Sequence, residues 1–182
     1  MLAYFDRPDA FTAAECDAIV ALGGAGGLER ATVFGDGGDH VDARMRQAER
    51  CYWPREIDGG WIHERLDALF AEAGKRFGFA VDPVFEDIQF VRYGVGAHFR
   101  IWHSDAGADR HDARLISVSV ELSEVGDYDG GVLEIAPTVG MPRSLPRGGA
   151  RLFPSRAIHR VTPVTRGVRR ALVAWTGKQA PQ

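Results

Sequence analysis

Cysteine is scarce: Cys16 and Cys51 are the only two in 182 residues, and their spacing fits no metal motif. A chain of this length needs no disulfide scaffold, so both read as small packing residues. Long apolar runs are also missing, with none near the roughly 20 residues that cross a bilayer. The opening Met1-Leu2-Ala3-Tyr4-Phe5-Asp6-Arg7 lacks the charged start and apolar stretch of a secretory signal, so a cytoplasmic protein without a membrane partner is expected. Basic residues are not in excess. The formal net charge of −3 argues against a nucleic-acid partner, which would require a phosphate-neutralising surface. Gly23-Gly24-Ala25-Gly26-Gly27 has no Gly-Lys-Ser/Thr ending of a phosphate-binding loop and reads as a flexible connection. Asp127-Tyr128-Asp129 lacks the alternating acids of a calcium loop and reads as a turn.

What is present points to one domain over residues 1–182, since 45% hydrophobic content suffices for a sizeable core. Residues 1–84 read as helical support. Thr12 and Glu15 have capping-box spacing ahead of the apolar positions Cys16, Ile19, Val20 and Leu22, with Gly23-Gly24 as the stop. Gly35-Asp36-Gly37-Gly38-Asp39 reads as a polar loop, and 49–53 as a strand ending at Pro54. The charged segment 42–46 between them fits a flap over a site or plain surface. Residues 61–77 carry Trp61, Ile62, Leu66, Leu69, Phe70, Ala73 and Phe77 at helical spacing. His63, on that helix, has no partner at ligand spacing and reads as structural or exposed.

Beyond Pro83 the pattern changes to short β-like runs at 87–93, 97–102, 114–122, 132–135, 150–153, 158–161 and 169–175. In one of them Ile116, Val118, Val120 and Leu122 alternate with Ser117, Ser119 and Glu121. Many short strands at such intervals predict a jelly roll. The expected fold class is α+β, mainly β: a double-stranded β-helix core over about 85–176, with N-terminal helices packed on one sheet. Trp102 and Trp175 read as packing residues.

The chemistry centres on Trp102-His103-Ser104-Asp105. In an extended chain residues i and i+2 share a face, so the His103 imidazole and Asp105 carboxylate can converge on one metal ion. His159 is the best third ligand. Two histidines and a carboxylate form the facial triad of non-haem Fe(II) oxygenases. His111 is a rival ligand by position, but its polar surroundings make it an exposed loop residue. Eight arginines and no acid lie between Arg143 and Arg170, leaving 14 basic residues against 25 acidic ones elsewhere. A guanidinium offers a planar fork for a carboxylate. Two antiparallel strands joined through 162–167 would return Arg169 close to His159, and Tyr93 lies on the strand entering His103. Strand alternation lets only one of Arg169 and Arg170 point inward, and spacing favours Arg169.

These segments together resemble the Fe(II)- and 2-oxoglutarate-dependent dioxygenases, specifically the prolyl 4-hydroxylase-like branch. The matching stretches are Arg92-Tyr93-Gly94-Val95-Gly96 leading to His103-Ser104-Asp105, and Leu122-Ser123-Glu124 with Tyr128-Asp129-Gly130-Gly131-Val132-Leu133. Phe153-Pro154-Ser155 with His159-Arg160-Val161-Thr162-Pro163-Val164 follows, then Gly167-Val168-Arg169-Arg170-Ala171-Leu172-Val173-Ala174-Trp175. The resemblance covers about 85–176, with a weaker echo over 42–53. It implies His103, Asp105 and His159 as iron ligands, Arg169 as the salt-bridge partner of the distal 2-oxoglutarate carboxylate, and Tyr93 as a hydrogen-bond donor to it. It further implies Fe(II), 2-oxoglutarate and O2, with ascorbate as a candidate reductant, and hydroxylation of a C–H bond with release of succinate and CO2. An aspartate at position 105 leaves no vacancy for halide, which disfavours a halogenase. A nucleic-acid demethylase is disfavoured because its arginine-asparagine-arginine pattern is missing from 169–176. The expected substrate is a peptide, with proline as the family-level guess, or a small molecule, and Arg44, Arg46, Arg100 and Glu121 are candidate contacts. Two rival readings are a non-catalytic sensor of 2-oxoglutarate and metal, and a cupin-like metalloenzyme without cosubstrate.

Overall fold

The computed structural model describes residues 3–35, 38–107, 113–137 and 144–178. His111 and loop residues 36–37 lie outside them. Strands are numbered in chain order. A large sheet runs, in spatial order, β1 (Phe5–Arg7), β12 (Ala150–Pro154), β9 (Arg114–Glu121), β15 (Arg169–Gly177), β7 (Ile88–Tyr93), β6 (Glu49–Trp53) and β2 (Glu29–Arg30). All neighbours in it are antiparallel. A smaller sheet, β11 (Leu133–Ile135), β13 (His159–Val161), β8 (His98–His103) and β5 (Arg46–Gln47), lies against it. Two further pairs are β10 (Tyr128–Gly130) with β14 (Val164–Gly167), and β3 (Val33–Gly35) with β4 (Gly38–His40). This is the expected jelly roll.

Strand alternation divides the large sheet into two chemically different faces. Ile116, Val118, Val120 and Leu122 join Ile88, Phe90, Leu152, Leu172 and Ala174 in one core with the helices α1 (Ala13–Ala25) and α2 (Trp61–Phe77). These side chains are almost completely excluded from water, and each large one contributes at most about 1.5–3 kcal/mol. The opposite face, with Ser117, Ser119, Glu121, Gln89, Tyr93 and Arg169, turns toward the small sheet. A second core there joins Val91 and Tyr93 to Val161, Phe99 and Leu133. Polar residues on β9 thus line an interior, not a solvated surface.

α1 begins as expected: Thr12 and Glu15 form a reciprocal capping box. It does not stop at Gly23-Gly24, however, but continues to Ala25 with Gly26 at the cap. A Cβ on Gly23 would lie 2.5 Å from the Phe90 ring, so this glycine serves close packing of helix on sheet. Tyr128 and Asp129, expected in a turn, form β10 and pair with Gly167 and Arg166. The approach is so close that a Cβ on Gly167 would lie 1.9 Å from the Asp127 carbonyl oxygen. Gly35 and Gly38, expected in a polar loop, are antiparallel register partners on β3 and β4. Trp102 is not a packing residue: 47% of it is exposed, with the Arg160 guanidinium 4.5 Å above its ring. His63 is buried in α2. Cys16 is buried and Cys51 half-buried, both as free thiols.

Candidate metal centre

His103 closes β8 and His159 opens β13, and the two are direct cross-strand partners. Their rings lie 4.3 Å apart between centroids. Asp105 follows two residues after His103 in a turn tied to the start of the 155–158 connection. The backbone N–H groups of Asp105 and Ala106 donate to the Ser155 carbonyl, and the Ser104 hydroxyl donates to the same oxygen. One ligand atom from each of His103, Asp105 and His159 lies within 4.8 Å of the others. Asp105 Oδ1 is 3.5 Å from His159 Nε2 and 4.0 Å from His103 Nε2.

The surrounding groups orient this set. His103 Nδ1 is 3.0 Å from the Ile101 carbonyl oxygen, and His159 Nδ1 is 2.9 Å from that of Ala157. A carbonyl can only accept, so each Nδ1 carries the proton and each Nε2 keeps its lone pair for a metal. Ser117 donates to Asp105 Oδ2 at 2.7 Å and lies 2.9 Å from the Ser155 hydroxyl, leaving Oδ1 toward the histidines. Phe99 stacks on His103 at 3.7 Å, and Phe153 meets His159 edge-on at 4.8 Å.

The electrostatics suit a cation. Burial, followed by the neighbouring His159, pushes His103 down to about 4. Burial also opposes ionisation of Asp105, but His159, His103 and the Ser117 hydrogen bond together hold its carboxyl well below the usual range. His159 moves the other way: burial acts against its charge, and the Asp105 carboxylate outweighs that and raises it. The site therefore holds a fixed anion between two imidazoles.

The same cavity, about 70 Å³, is bounded on the large sheet by Arg169, Tyr93, Gln89 and Trp175. Arg169 and Tyr93 are register partners on β15 and β7, with the guanidinium 5.6 Å from the tyrosine ring centre. Arg169 is buried, whereas the Arg170 backbone is anchored to Ser123 on the other side of the alternation.

Of the four candidate substrate contacts, only Arg46 lines this cavity among the described residues. Arg44 is paired with Asp42 on the surface, and Arg100 is exposed with its Nε on the Arg44 carbonyl. Glu121 is a correction of another kind. It is buried and accepts from Arg169 Nε at 2.9 Å, because an inward position on β9 faces an inward position on β15. Burial raises the Glu121 carboxyl even beside that cation. Burial also works against the Arg169 charge, and Glu121 overrides it. Tyr128 hydrogen-bonds within the same pair. Sequence reasoning missed Ser117, Ser155, Gln89 and Tyr128. The alternation Ser117-Ser119-Glu121 was the available signal for the first.

Residues 88–177 match the profile of the 2OG-Fe(II) oxygenase superfamily. The chain is also 36% identical over 161 residues to a PKHD-type hydroxylase of Verminephrobacter eiseniae (strain EF01-2), covering 81% of this chain and 69% of that protein. This chain belongs to the 2OG-Fe(II) oxygenase superfamily. A second PKHD-type hydroxylase, from Synechococcus sp. (strain JA-2-3B'a(2-13)), is 46% identical over 130 residues. That match takes in 66% of this chain and spans 58% of the length of the relative. Among solved structures, a Pseudomonas putida prolyl-4-hydroxylase superposes with a TM-score of 0.78 at 20% identity, covering 98% of this chain and 94% of that one. As a 2OG-Fe(II) oxygenase the chain is an enzyme that uses Fe(II), 2-oxoglutarate and O2. A donor set of two imidazoles and one carboxylate, with both Nδ1 atoms committed elsewhere, fits a ferrous ion that keeps positions open. The cosubstrate-free cupin-like reading falls away with this assignment. No helix among the described residues is long and apolar enough to cross a membrane.

Proposed function

We propose that this oxygenase hydroxylates a C–H bond of a peptidyl substrate, prolyl peptides included, or of a small molecule, as one cytoplasmic domain. The observation that carries the reading is the sharing of one cavity by the convergent His103, Asp105 and His159 and by the buried cation Arg169. In this reading the three convergent residues hold Fe(II). Arg169 takes the distal carboxylate of 2-oxoglutarate through its guanidinium fork, and the Tyr93 hydroxyl donates to that carboxylate. The bound iron and cosubstrate supply the oxidising chemistry, in which 2-oxoglutarate becomes succinate and CO2 while one oxygen atom of O2 enters the substrate.

The protein's contribution is position and shielding. Ser117 and Ser155 fix the Asp105 carboxylate, and the Ile101 and Ala157 carbonyls fix the tautomers of the two imidazoles. Phe99, Phe153, Leu133 and Val161 give the cavity apolar walls, which limit access of bulk water and strengthen the Arg169–carboxylate attraction. A prolyl substrate is suggested by the likeness to the Pseudomonas putida prolyl-4-hydroxylase, and hydroxylation by the PKHD-type relatives; the fold alone does not select among substrates.

The test is anaerobic titration of the Fe(II)-loaded protein with 2-oxoglutarate, followed by succinate analysis after admitting O2. A visible charge-transfer band that is absent in His103→Ala and weakened in Arg169→Ala is expected. Iron binding with no such band would overturn the cosubstrate assignment. A band without succinate over a broad substrate panel would favour the sensor reading.

A further inference from the structure

Next to the metal cavity lies a larger one of about 390 Å³, within the size range of small-molecule sites. Its charged lining is Arg30, Arg46, Arg92 and Glu49, and Ala31 and Ala48 are among its apolar residues. Arg46 lines both cavities and is the point where they meet. Its contacts are unlike those of the other inward-facing arginines. Arg114, Arg151 and Arg169 each pair with a carboxylate, from Glu86, Asp6 and Glu121. Arg46 instead donates from Nη2 to the neutral amide oxygen of Gln89 at 2.8 Å and from Nη1 to the Thr32 carbonyl at 3.3 Å. Its Nε is buried without a hydrogen-bond partner, and its guanidinium lies 4.8 Å from the centre of the Phe99 ring that stacks on His103. Arg50 also lacks an acidic partner, but it lines neither cavity.

Arg46 is half-buried, and its shielded Nε with no counter-ion beside the guanidinium carries a cost that a ligand anion offsets by supplying the missing partner. With Arg92 engaged by Glu49, Arg46 and Arg30 leave the cavity net positive in a chain whose net charge is −3. Such a local field concentrates anions. We propose that this cavity is the substrate-anchoring site and that it takes a carboxylate-bearing substrate, with the carboxylate on Arg46 and the apolar body against the alanine-lined wall. This rests on the hydroxylase reading above and adds the substrate class. A single guanidinium matches a singly charged carboxylate. The volume suits a small acid, the terminal residue of a peptide, or an acidic side chain.

The test measures binding of matched probes to the full chain loaded with Zn(II) and saturated with 2-oxoglutarate. The probes are N-acetyl-L-proline, N-acetyl-L-prolinamide, and N-acetyl-L-prolyl-L-glutamic acid α-amide. Charge-assisted hydrogen bonds of about 1.5–3 kcal/mol predict that an acid binds at least about tenfold tighter than the prolinamide. The preference should vanish in Arg46→Gln and largely return in Arg46→Lys, with thermal midpoints confirming that both variants are folded. Preference for the first acid indicates a terminal or free carboxylate, and preference for the glutamyl probe a side-chain carboxylate. Equal binding of acids and amide, no binding of any probe, or a preference that survives Arg46→Gln overturns the proposal. Failure of the hydroxylase reading is seen separately, as absence of 2-oxoglutarate binding in the Fe(II) titration.

Discussion

Glu121 shows how much one buried carboxylate does here. It pairs with Arg169 behind the cavity and compensates that cation in a region shut off from solvent. Removing one partner of a buried pair strands the other, at a cost of about 3–5 kcal/mol. Glu121→Ala should therefore lower the thermal midpoint by roughly 10 °C for a chain of this size, read by calorimetry. Glu121→Gln, which keeps an acceptor for Arg169 Nε, should cost less, and equal losses in the two variants would refute the ion-pair account. At the metal centre, His159 is raised by Asp105 whereas His103 is pushed down to about 4. In the proposed reading, in which both imidazoles ligate iron, both must be neutral to bind it. With His103 down at about 4 and His159 raised above the ordinary value of about 6.5, only His159 carries a proton to be displaced between those two values, and iron affinity should fall as pH drops through that range with a slope near one proton. Two histidines at their ordinary value would approach a slope of two in the acidic part of that range. Calorimetric titration in buffers of different ionisation enthalpy measures the difference.

Elements transmit these positions. β7 and β15 bring Tyr93 opposite Arg169, and β8 and β13 bring His103 opposite His159, so cross-strand register builds the site. The helices secure the large sheet from the other side. Gly23 in α1 provides the clearest test, because a glycine-to-alanine change inside a helix ordinarily stabilises by about 0.5–1 kcal/mol. Here the new methyl would meet the Phe90 ring, and Gly23→Ala should destabilise by about 1–3 kcal/mol in denaturant unfolding. A stabilised variant would show that the sheet yields to the helix. The capping box at Thr12 and Glu15 was legible because it is local and has fixed spacing. The continuation of α1 beyond Gly23 was not, because it depends on an aromatic ring 67 positions away in the chain. β10 was hidden for the same reason, since its partner β14 lies across a long connection.

At the scale of the molecule, two sheets enclose one interior, and ligands that bind there must stabilise the whole fold. Fe(II) with 2-oxoglutarate at about 100 times its dissociation constant should add about 2.7 kcal/mol, or roughly 5–10 °C in the thermal midpoint. Arg169→Ala should keep the shift caused by iron and lose most of the additional shift from 2-oxoglutarate in anaerobic thermal scans. If the cosubstrate shift remains undiminished, Arg169 is not its anchor.

By itself the sequence determined the helices at 13 and 61 and most strands from residue 88 onward, β10 and β14 excepted, and it singled out the His103, Asp105, His159 and Arg169 set that the fold brings to one cavity. Those features follow from period-2 and period-3.6 patterning and from the chemistry of individual side chains, both expressed over a few residues. Tertiary structure decided which polar residues face one another. It put Glu121 against Arg169 instead of substrate, turned Arg44 and Arg100 outward, left Trp102 exposed, and set Arg46 between two cavities without an acid. Those outcomes depend on the register between strands distant in the chain and on close approach at Gly23 and Gly167, which no local pattern encodes.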